Sequence, residues 1–248
     1  MLSAPFAAAH LSVMTDRLRI LADNLAAVRD QIEEAAATAG RSSDDIRLVA
    51  VTKYVDAAVA RDLFQVGCAE LGESRPQSLW DKAEQLPQQE IHWHLIGHLQ
   101  RNKVRRSLPH LALLHSIDSL RLLEEVASQA AALDIRVPAL LEVNISGEPE
   151  KHGFAPEDLE SLLPRIASFE QVSIQGLMAM ARRDGGPDLA RRDFAAVREL
   201  RDELQTTAPD NISLDELSIG MSRDFTEAIQ EGATIVRIGR ALYEGLDT

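Results

Sequence analysis

The stretch ELSIGMSRDFTEAIQEGATIVRIGR, residues 216–240, holds two short apolar runs joined by a segment in which we expect a helix to begin near Arg223. The same unit recurs along the chain: apolar runs typical of strands alternate with stretches of helical spacing such as Ser119–Leu133 and Leu189–Gln205. The predicted strands are Ile46–Lys53, Cys68–Ser74, Ile91–Gly97, Leu111–Asp118, Val137–Asn144, Val172–Met180, Glu216–Met221 and Thr234–Arg240.

Strands that alternate with helices predict a parallel sheet, because parallel neighbours need a crossover and a helix supplies it. About 200 residues for eight such units suits a closed (β/α)8 TIM barrel. An open doubly wound sheet is the alternative, and it is disfavoured because no G-x-G-x-x-G turn follows the first strand.

The chain before the first strand carries apolar residues three and four positions apart, from Leu18 to Ile32, which predicts one amphipathic helix ending near Gly40. We therefore expect residues 1–40 to form an N-terminal helix packed on the outside of the barrel. Residues 41–248 then form the barrel, an α/β domain without an internal linker.

Composition excludes several classes of protein. The 248 residues include 26 Lys+Arg and 39 Asp+Glu, a net charge of −13, which argues against a nucleic-acid partner. No apolar run is long enough to cross a membrane, and no basic segment precedes the short apolar start, so we expect neither a membrane protein nor a secreted one. The single cysteine, Cys68, cannot form an intramolecular disulfide and favours a cytoplasmic location.

Functional side chains of such barrels come from the C-terminal ends of the strands. Lys53 closes the first predicted strand, where a charged side chain has no place in an apolar wall. A lysine that is partly desolvated there loses its proton more easily, and the neutral amine forms a Schiff base with a carbonyl compound. The alternative is a lysine that merely caps the strand and reaches solvent.

The ends of the last two strands predict an anion site. Gly220 and Ser222, and then Gly239 and Arg240, follow strands seven and eight, where barrels of this kind often bind phosphate. Glycine lets the backbone approach an anion, and the serine hydroxyl donates. A strand-one lysine opposite a phosphate site describes a phosphorylated aldehyde, for which pyridoxal 5′-phosphate is the obvious candidate.

Eight segments carry a resemblance that covers the chain from about Leu18 onward. They are LVAVTK ending at Lys53, LGESRPQ at 71–77, HWHLIGHLQRNK at 92–103, HSID at 115–118, EVNISGEPEKHGF at 142–154, GLMAM at 176–180, LSIGMSRDF at 217–225 and VRIGRALYEG at 236–245. With these motifs the chain resembles the pyridoxal phosphate homeostasis protein family, whose fold is similar to the cofactor barrel of bacterial alanine racemase.

The resemblance implies a role for each matching residue. Lys53 would hold pyridoxal 5′-phosphate as an internal aldimine. The phosphate would lie among four residues: Ser218, Ser222, Gly239 and the backbone of Arg240.

Four further residues would surround the ring. Arg237 would face the pyridine nitrogen and keep it unprotonated, which weakens the ring as an electron sink. Ser74, His94 and Met178 would line the ring and its approach. Ser74 stands where the family often has asparagine, and Arg240 where threonine is frequent.

Three classes of function stay open at this point. The resemblance implies a monomeric carrier that binds the cofactor without turnover and passes it to dependent apo-enzymes. A racemase is the alternative, but it needs a second base, which the resembling enzymes supply as a tyrosine from an added domain. This chain ends soon after strand eight, and its tyrosines are Tyr54, which strand alternation would point away from Lys53, and Tyr243.

A scaffold without a ligand is the third class, and it predicts a colourless protein. The histidines His92, His94 and His98 could also suggest a metal site. No carboxylate or cysteine stands at a matching spacing, so we interpret these histidines as packed or strand-end residues.

Overall fold

The computed structural model describes residues 4–182 and 186–246, with side chains from residue 16 onward. Eight parallel strands close into a barrel, each bonded to the next and the eighth to the first. They are β1 (Arg47–Val51), β2 (Glu70–Glu73), β3 (His92–Leu95), β4 (Leu111–Ile117), β5 (Val137–Val143), β6 (Val172–Ala179), β7 (Glu216–Met221) and β8 (Ile235–Ile238). The predicted (β/α)8 TIM barrel is confirmed.

Helices separate the strands and cover the outer face of the barrel. They are α1 (Ala4–Thr38), α2 (Ala57–Gln65), α3 (Pro76–Gln85), α4 (Val104–Ser107), α5 (Leu120–Leu133), α6 (Pro156–Ala167), α7 (Gly186–Thr207) and α8 (Phe225–Gln230). Local chemistry sets several of their ends. The Asp56 carboxylate accepts a hydrogen bond from Val59 N at the start of α2, and Ser119 does the same for Leu122 N at the start of α5.

Two apolar clusters hold the barrel together. The smaller one fills the interior with the side chains of Val49, Leu113, Leu140, Met178 and Ile235. The larger one lies between the strands and the helices. Inward and outward side chains alternate along each strand, so every second residue of a strand faces the barrel axis.

Helix α1 lies on the outside of the barrel, and its Leu21, Leu25, Val28 and Ile32 side chains are buried. It contacts α8 and the short 3₁₀ turn Arg240–Tyr243 that follows β8. The Asn24 amide donates to the carbonyl of Leu242 at 3.1 Å. Within the described residues, no helix has the length and apolar character that a membrane span requires.

The first strand is shorter than the sequence suggests. Its pairing with β2 continues to Thr52, whose N donates to the carbonyl of Gly72 at 2.9 Å. Beyond that point the chain must turn so that Asp56 can cap α2, and Lys53 therefore lies in the turn rather than in the strand. The C-terminal ends of the strands nevertheless lie at the edge of the barrel where the sequence predicts the site.

Candidate functional site

Lys53 lies at the C-terminal edge of the barrel, two residues after the end of β1. Strands β1 and β8 pair in parallel, so their C-terminal ends lie side by side, and Lys53 follows β1 onto the same edge as the turn after β8. The Lys53 side chain is exposed. The expected partial desolvation of Lys53 is therefore wrong, because its amine lies in solvent, open to an incoming carbonyl group.

The backbone that leads to Lys53 is held from behind by buried polar side chains. Lys82 Nζ donates to the carbonyl of Thr52 at 2.7 Å and also pairs with the Glu73 carboxylate. The Thr52 hydroxyl donates to the same Glu73 oxygen at 2.7 Å, while the second Glu73 oxygen has no hydrogen-bond partner. This cluster lies outside the barrel wall, so it fixes the loop without occupying the mouth.

The two tyrosines have different surroundings. Tyr54 is 76% exposed, and its ring centroid lies 4.9 Å from Lys53 Nζ. The expectation that Tyr54 points away from Lys53 is wrong, because β1 has ended and alternation does not extend into the turn. The Tyr243 hydroxyl donates to the carbonyl of Val51 at 3.0 Å, and burial raises its pKa. The hydroxyl of Tyr243 is thus occupied by a hydrogen bond to the barrel wall.

The turns after β7 and β8 meet beside the mouth. The N–H of Gly239 donates to Ser222 Oγ at 3.1 Å, which joins the two turns. Gly220 has φ +86°, and an added Cβ would lie 2.5 Å from the Ala228 Cβ, so the turn requires glycine. The 3₁₀ turn that begins at Arg240 has its first N–H groups without partners inside the turn.

Gly239 differs from Gly220 because packing does not demand it. The nearest atom to an added Cβ would be the Val51 Cβ, at an ordinary 3.6 Å. A side chain there would fill space beside Ser222 and Arg240, and glycine leaves that space open. The two turns therefore form a cradle of a hydroxyl group and backbone N–H groups, of the kind that accepts an anion.

Arg237 lies on β8 beneath this cradle and is only 4% exposed. Its Nη1 donates to Ser218 O at 2.6 Å and to Ser218 Oγ at 2.5 Å, and its Nη2 donates to Ala179 O at 3.0 Å. Burial lowers the pKa of Arg237 to about 10, so it remains a cation at neutral pH. The predicted interior cation is in place.

Three residues predicted to contact a cofactor lie below the mouth. Ser218 is fully buried, and its hydroxyl is engaged by Arg237 and by His115, so it is not free to contact a phosphate. His94 is 1% exposed and its Nε2 lies 2.5 Å from Glu70 at the N-terminal end of β2, which removes it from the ring's surroundings. Met178 belongs to the interior cluster.

Met180 and the predicted Ser74 lie closer to the edge of the barrel. Met180, two residues after Met178 on the same face of the chain, packs on the interior cluster and is partly exposed. Ser74 is half-buried, and its carbonyl would lie 2.3 Å from a Cβ at Gly97. That close approach holds the loops after β2 and β3 together, so Ser74 stays at the predicted edge.

Acidic groups near Arg237 were missed from the sequence. Glu142, on the inward face of β5, is 5% exposed, and its pKa is raised to about 7 by burial and by the charge of Asp118. Burial also raises the pKa of Asp224, whose carboxylate accepts a hydrogen bond from Met221 N at 2.6 Å. Glu142 lies two residues after Leu140, whose side chain is in the interior cluster, so strand alternation predicts that Glu142 also faces the interior.

A second unexpected cluster joins the loops after β3, β4 and β5. His98 Nδ1 lies 2.8 Å from the Asp118 carboxylate, and the rings of His98 and His152 stack with centroids 4.2 Å apart. Their ligand-type atoms lie within 4.8 Å of one another, a donor set that could hold a metal ion. Both imidazoles approach the same Asp118 oxygen, which also pairs them without an ion.

Comparison with known proteins places this geometry in a family. The family described as "Alanine racemase, N-terminal domain" matches residues 24–247. The pyridoxal phosphate homeostasis protein of Aquifex aeolicus is 38% identical over 221 residues, which covers 89% of this chain and 96% of that protein. The chain belongs to the pyridoxal phosphate homeostasis protein family.

Solved structures agree with that family assignment. PipY of Synechococcus elongatus, with PLP bound, superposes with a TM-score of 0.81 at 34% identity over 90% of this chain and 99% of PipY. Alanine racemase from Clostridium difficile superposes with a TM-score of 0.71 at 15% identity, over 94% of this chain and 58% of the racemase. The racemase likeness concerns the barrel fold alone.

Proposed function

We propose that the barrel mouth binds pyridoxal 5′-phosphate and that Lys53 is its point of covalent attachment. The observation that carries this proposal is an open amine that shares one mouth with a hydroxyl-and-glycine cradle and a buried guanidinium. The bound form of the relative PipY supports the choice of cofactor. When bound, the cofactor supplies an aldehyde that condenses with an amine, and an aromatic ring that carries a phosphate.

Each group of the mouth suits one part of that molecule. Ser222, Gly239 and the backbone of Arg240 would hold the phosphate across the turns after β7 and β8. The N–H of Gly239 donates to Ser222 Oγ, which leaves the hydrogen of that hydroxyl to donate to the phosphate. Arg237 would face the ring nitrogen and, as a fixed cation, oppose its protonation. Ser74 and Met180 would border the ring, with Met178 as part of the apolar floor.

A carrier role follows from what the chain's own residues do. They bind a reactive aldehyde and orient it, and the exposed Lys53 leaves the attachment point open to a competing amine. We propose that the protein acts as a monomer in the cytoplasm and delivers the cofactor to dependent apo-enzymes without turnover. Its one free cysteine, Cys68, is buried and compatible with a reducing compartment.

Absorption titration tests the binding. Pyridoxal 5′-phosphate added to the protein should give the spectrum of a lysine-bound cofactor, and Lys53→Ala should abolish that spectrum. Lys103→Ala is the matched control, because Lys103 lies in the short turn before α4, away from the strand-one loop. An unchanged spectrum in Lys53→Ala would reject Lys53 as the attachment point.

A racemase is the second candidate, because two acid–base groups lie near the mouth: Tyr54 beside Lys53, and Glu142 with its pKa raised to about 7. Exchange of the α-proton of alanine in heavy water, followed by NMR, separates the two functions. We expect no exchange above that given by free pyridoxal 5′-phosphate. Exchange that disappears in Glu142→Gln or Tyr54→Phe would favour the enzyme over the carrier.

A further inference from the structure

A chain of hydrogen-bonded side chains crosses the barrel interior from the mouth to the opposite end. Arg237 Nη1 lies 2.5 Å from Ser218 Oγ, and that oxygen lies 2.9 Å from His115 Nδ1. His115 Nε2 lies 2.8 Å from His94 Nδ1, and His94 Nε2 lies 2.5 Å from the Glu70 carboxylate. Glu70 is the first residue of β2, so the chain ends at the N-terminal edge of the barrel.

The two ends of this chain dictate the direction of every hydrogen bond. A guanidinium only donates, so Ser218 Oγ accepts from Arg237. A carboxylate only accepts, so the neutral rings of His94 and His115 both direct their Nε2–H toward Glu70, and Ser218 donates its hydrogen to His115 Nδ1. Neutral His115 then carries its hydrogen on Nε2 and donates to His94 Nδ1. His94 in turn carries its hydrogen on Nε2 and donates to Glu70, whose carboxylate only accepts.

The charges in this region support the same order. Burial lowers the pKa of His94 despite the opposing effect of Glu70. Burial also lowers the pKa of His115 well below the usual range, with His94, Arg237 and Arg47 acting in the same direction. Burial alone would raise the pKa of Glu70, but hydrogen bonds from His94 and His92 bring it to about 2. A proton on His94 Nδ1 would face the Nε2–H of His115 and break the chain.

We propose that Glu70, His94 and His115 are positioning residues for Arg237, acting through the hydroxyl of Ser218. They orient that hydroxyl so that it can accept from the guanidinium, and Glu70 is the anionic end of the chain that begins at the buried cation. The consequence for cofactor binding rests on the proposed function, whereas the order of hydrogen bonds does not.

Nitrogen-15 NMR of the histidine side chains in the cofactor-free protein tests the order directly. We expect both buried rings to show the neutral Nε2–H form throughout the neutral pH range. His94→Gln and His115→Gln assign the signals, because each removes one ring, and His110→Gln is the control outside the chain. A cationic ring or an Nδ1–H form at either position would overturn the inference, and would leave the binding of pyridoxal 5′-phosphate untouched.

Ser218→Ala tests the positioning role with a substitution small enough to preserve the fold. We expect faster rotation of the Arg237 guanidinium in its nitrogen-15 spectrum, and a roughly tenfold weaker affinity for pyridoxal 5′-phosphate. His115→Phe should do the same, and Leu113→Val is the matched control because it alters the interior cluster without touching the chain. Wild-type guanidinium dynamics in both Ser218→Ala and His115→Phe would show that Arg237 is held without them.

Discussion

Glu142 shows how one residue of the mouth can couple stability to pH. Its carboxyl group lies below the rim, near the negative charge of Asp118 and the positive charge of Arg237. Burial and Asp118 outweigh the arginine, so the folded state prefers the protonated form and the pKa rises from 4.5 to about 7. The unfolded chain keeps the ordinary value.

Glu142→Gln should therefore stabilise the cofactor-free protein at alkaline pH. Because the pKa of Glu142 is raised in the folded state, its contribution to the free energy of unfolding is fully present below pH 4.5. That contribution is lost as the pH rises to about 7 and above. The difference between 4.5 and about 7 corresponds to at most about 3 kcal/mol. Urea unfolding of both proteins should show a difference in the free energy of unfolding at pH 8 that narrows at pH 5 and closes below pH 4.5, and a difference independent of pH would contradict this account.

The buried pair of Lys82 and Glu73 permits a second prediction at this scale. Lys82→Met leaves the Glu73 carboxylate buried without its cation, which should lower the free energy of unfolding by about 3–5 kcal/mol. The double variant Glu73→Gln/Lys82→Met should recover much of that loss, since no unpaired charge remains. Chemical denaturation of the two variants measures the difference, and equal losses would rule out the unpaired charge as the cause.

Elements of this fold differ in how far the sequence predicts them. Strands β4, β5 and β7 lie within a residue of their predicted ends, because their apolar runs are continuous and bounded by polar residues. Strands β1, β3 and β8 each end two residues earlier than predicted, because the loops at the mouth begin there, whereas β2 begins two residues later than predicted. Helix α1 extends to Ala4, well before the first residue of the predicted stripe.

The docking of α1 gives a prediction at the scale of the element. Leu25 is 1% exposed against the barrel, so Leu25→Ala should leave a cavity and lower the free energy of unfolding by about 2–5 kcal/mol. Asp23→Ala, on the exposed side of the same helix, is the control and should change it by less than about 0.5 kcal/mol. Equal effects in thermal unfolding would mean that α1 does not pack as described.

At the scale of the whole molecule, closure of the barrel determines which of the predicted site residues lie at the mouth. Strand parity correctly gives the inward face for Ser218, His94 and Met178, but the depth of each residue depends on the stagger between strands that are distant in sequence. Those residues lie in lower layers, where Ser218 and His94 serve Arg237 and Glu70 instead of the mouth. Lys53 and Ser222 follow the ends of their strands, so their place at the mouth could be predicted.

Cofactor binding should stabilise the whole barrel, because the proposed contacts join β1 to the turns after β7 and β8. At a concentration one hundred times the dissociation constant, linkage gives about 2.7 kcal/mol. For a domain of this size that corresponds to a rise in Tm of roughly 5–10 °C. Calorimetry should show this shift in the wild type and a smaller one in Lys53→Ala. Identical shifts would show that the stabilisation does not depend on attachment at Lys53.

Reductive trapping tests the central claim most directly, because the chain has only four lysines: Lys53, Lys82, Lys103 and Lys151. The protein is mixed with pyridoxal 5′-phosphate, reduced with borohydride, digested and mapped by mass spectrometry. We predict one phosphopyridoxyl group per chain, on the peptide that contains Lys53. A group located mainly on Lys103 or Lys151, with Lys53 unmodified, would contradict the account.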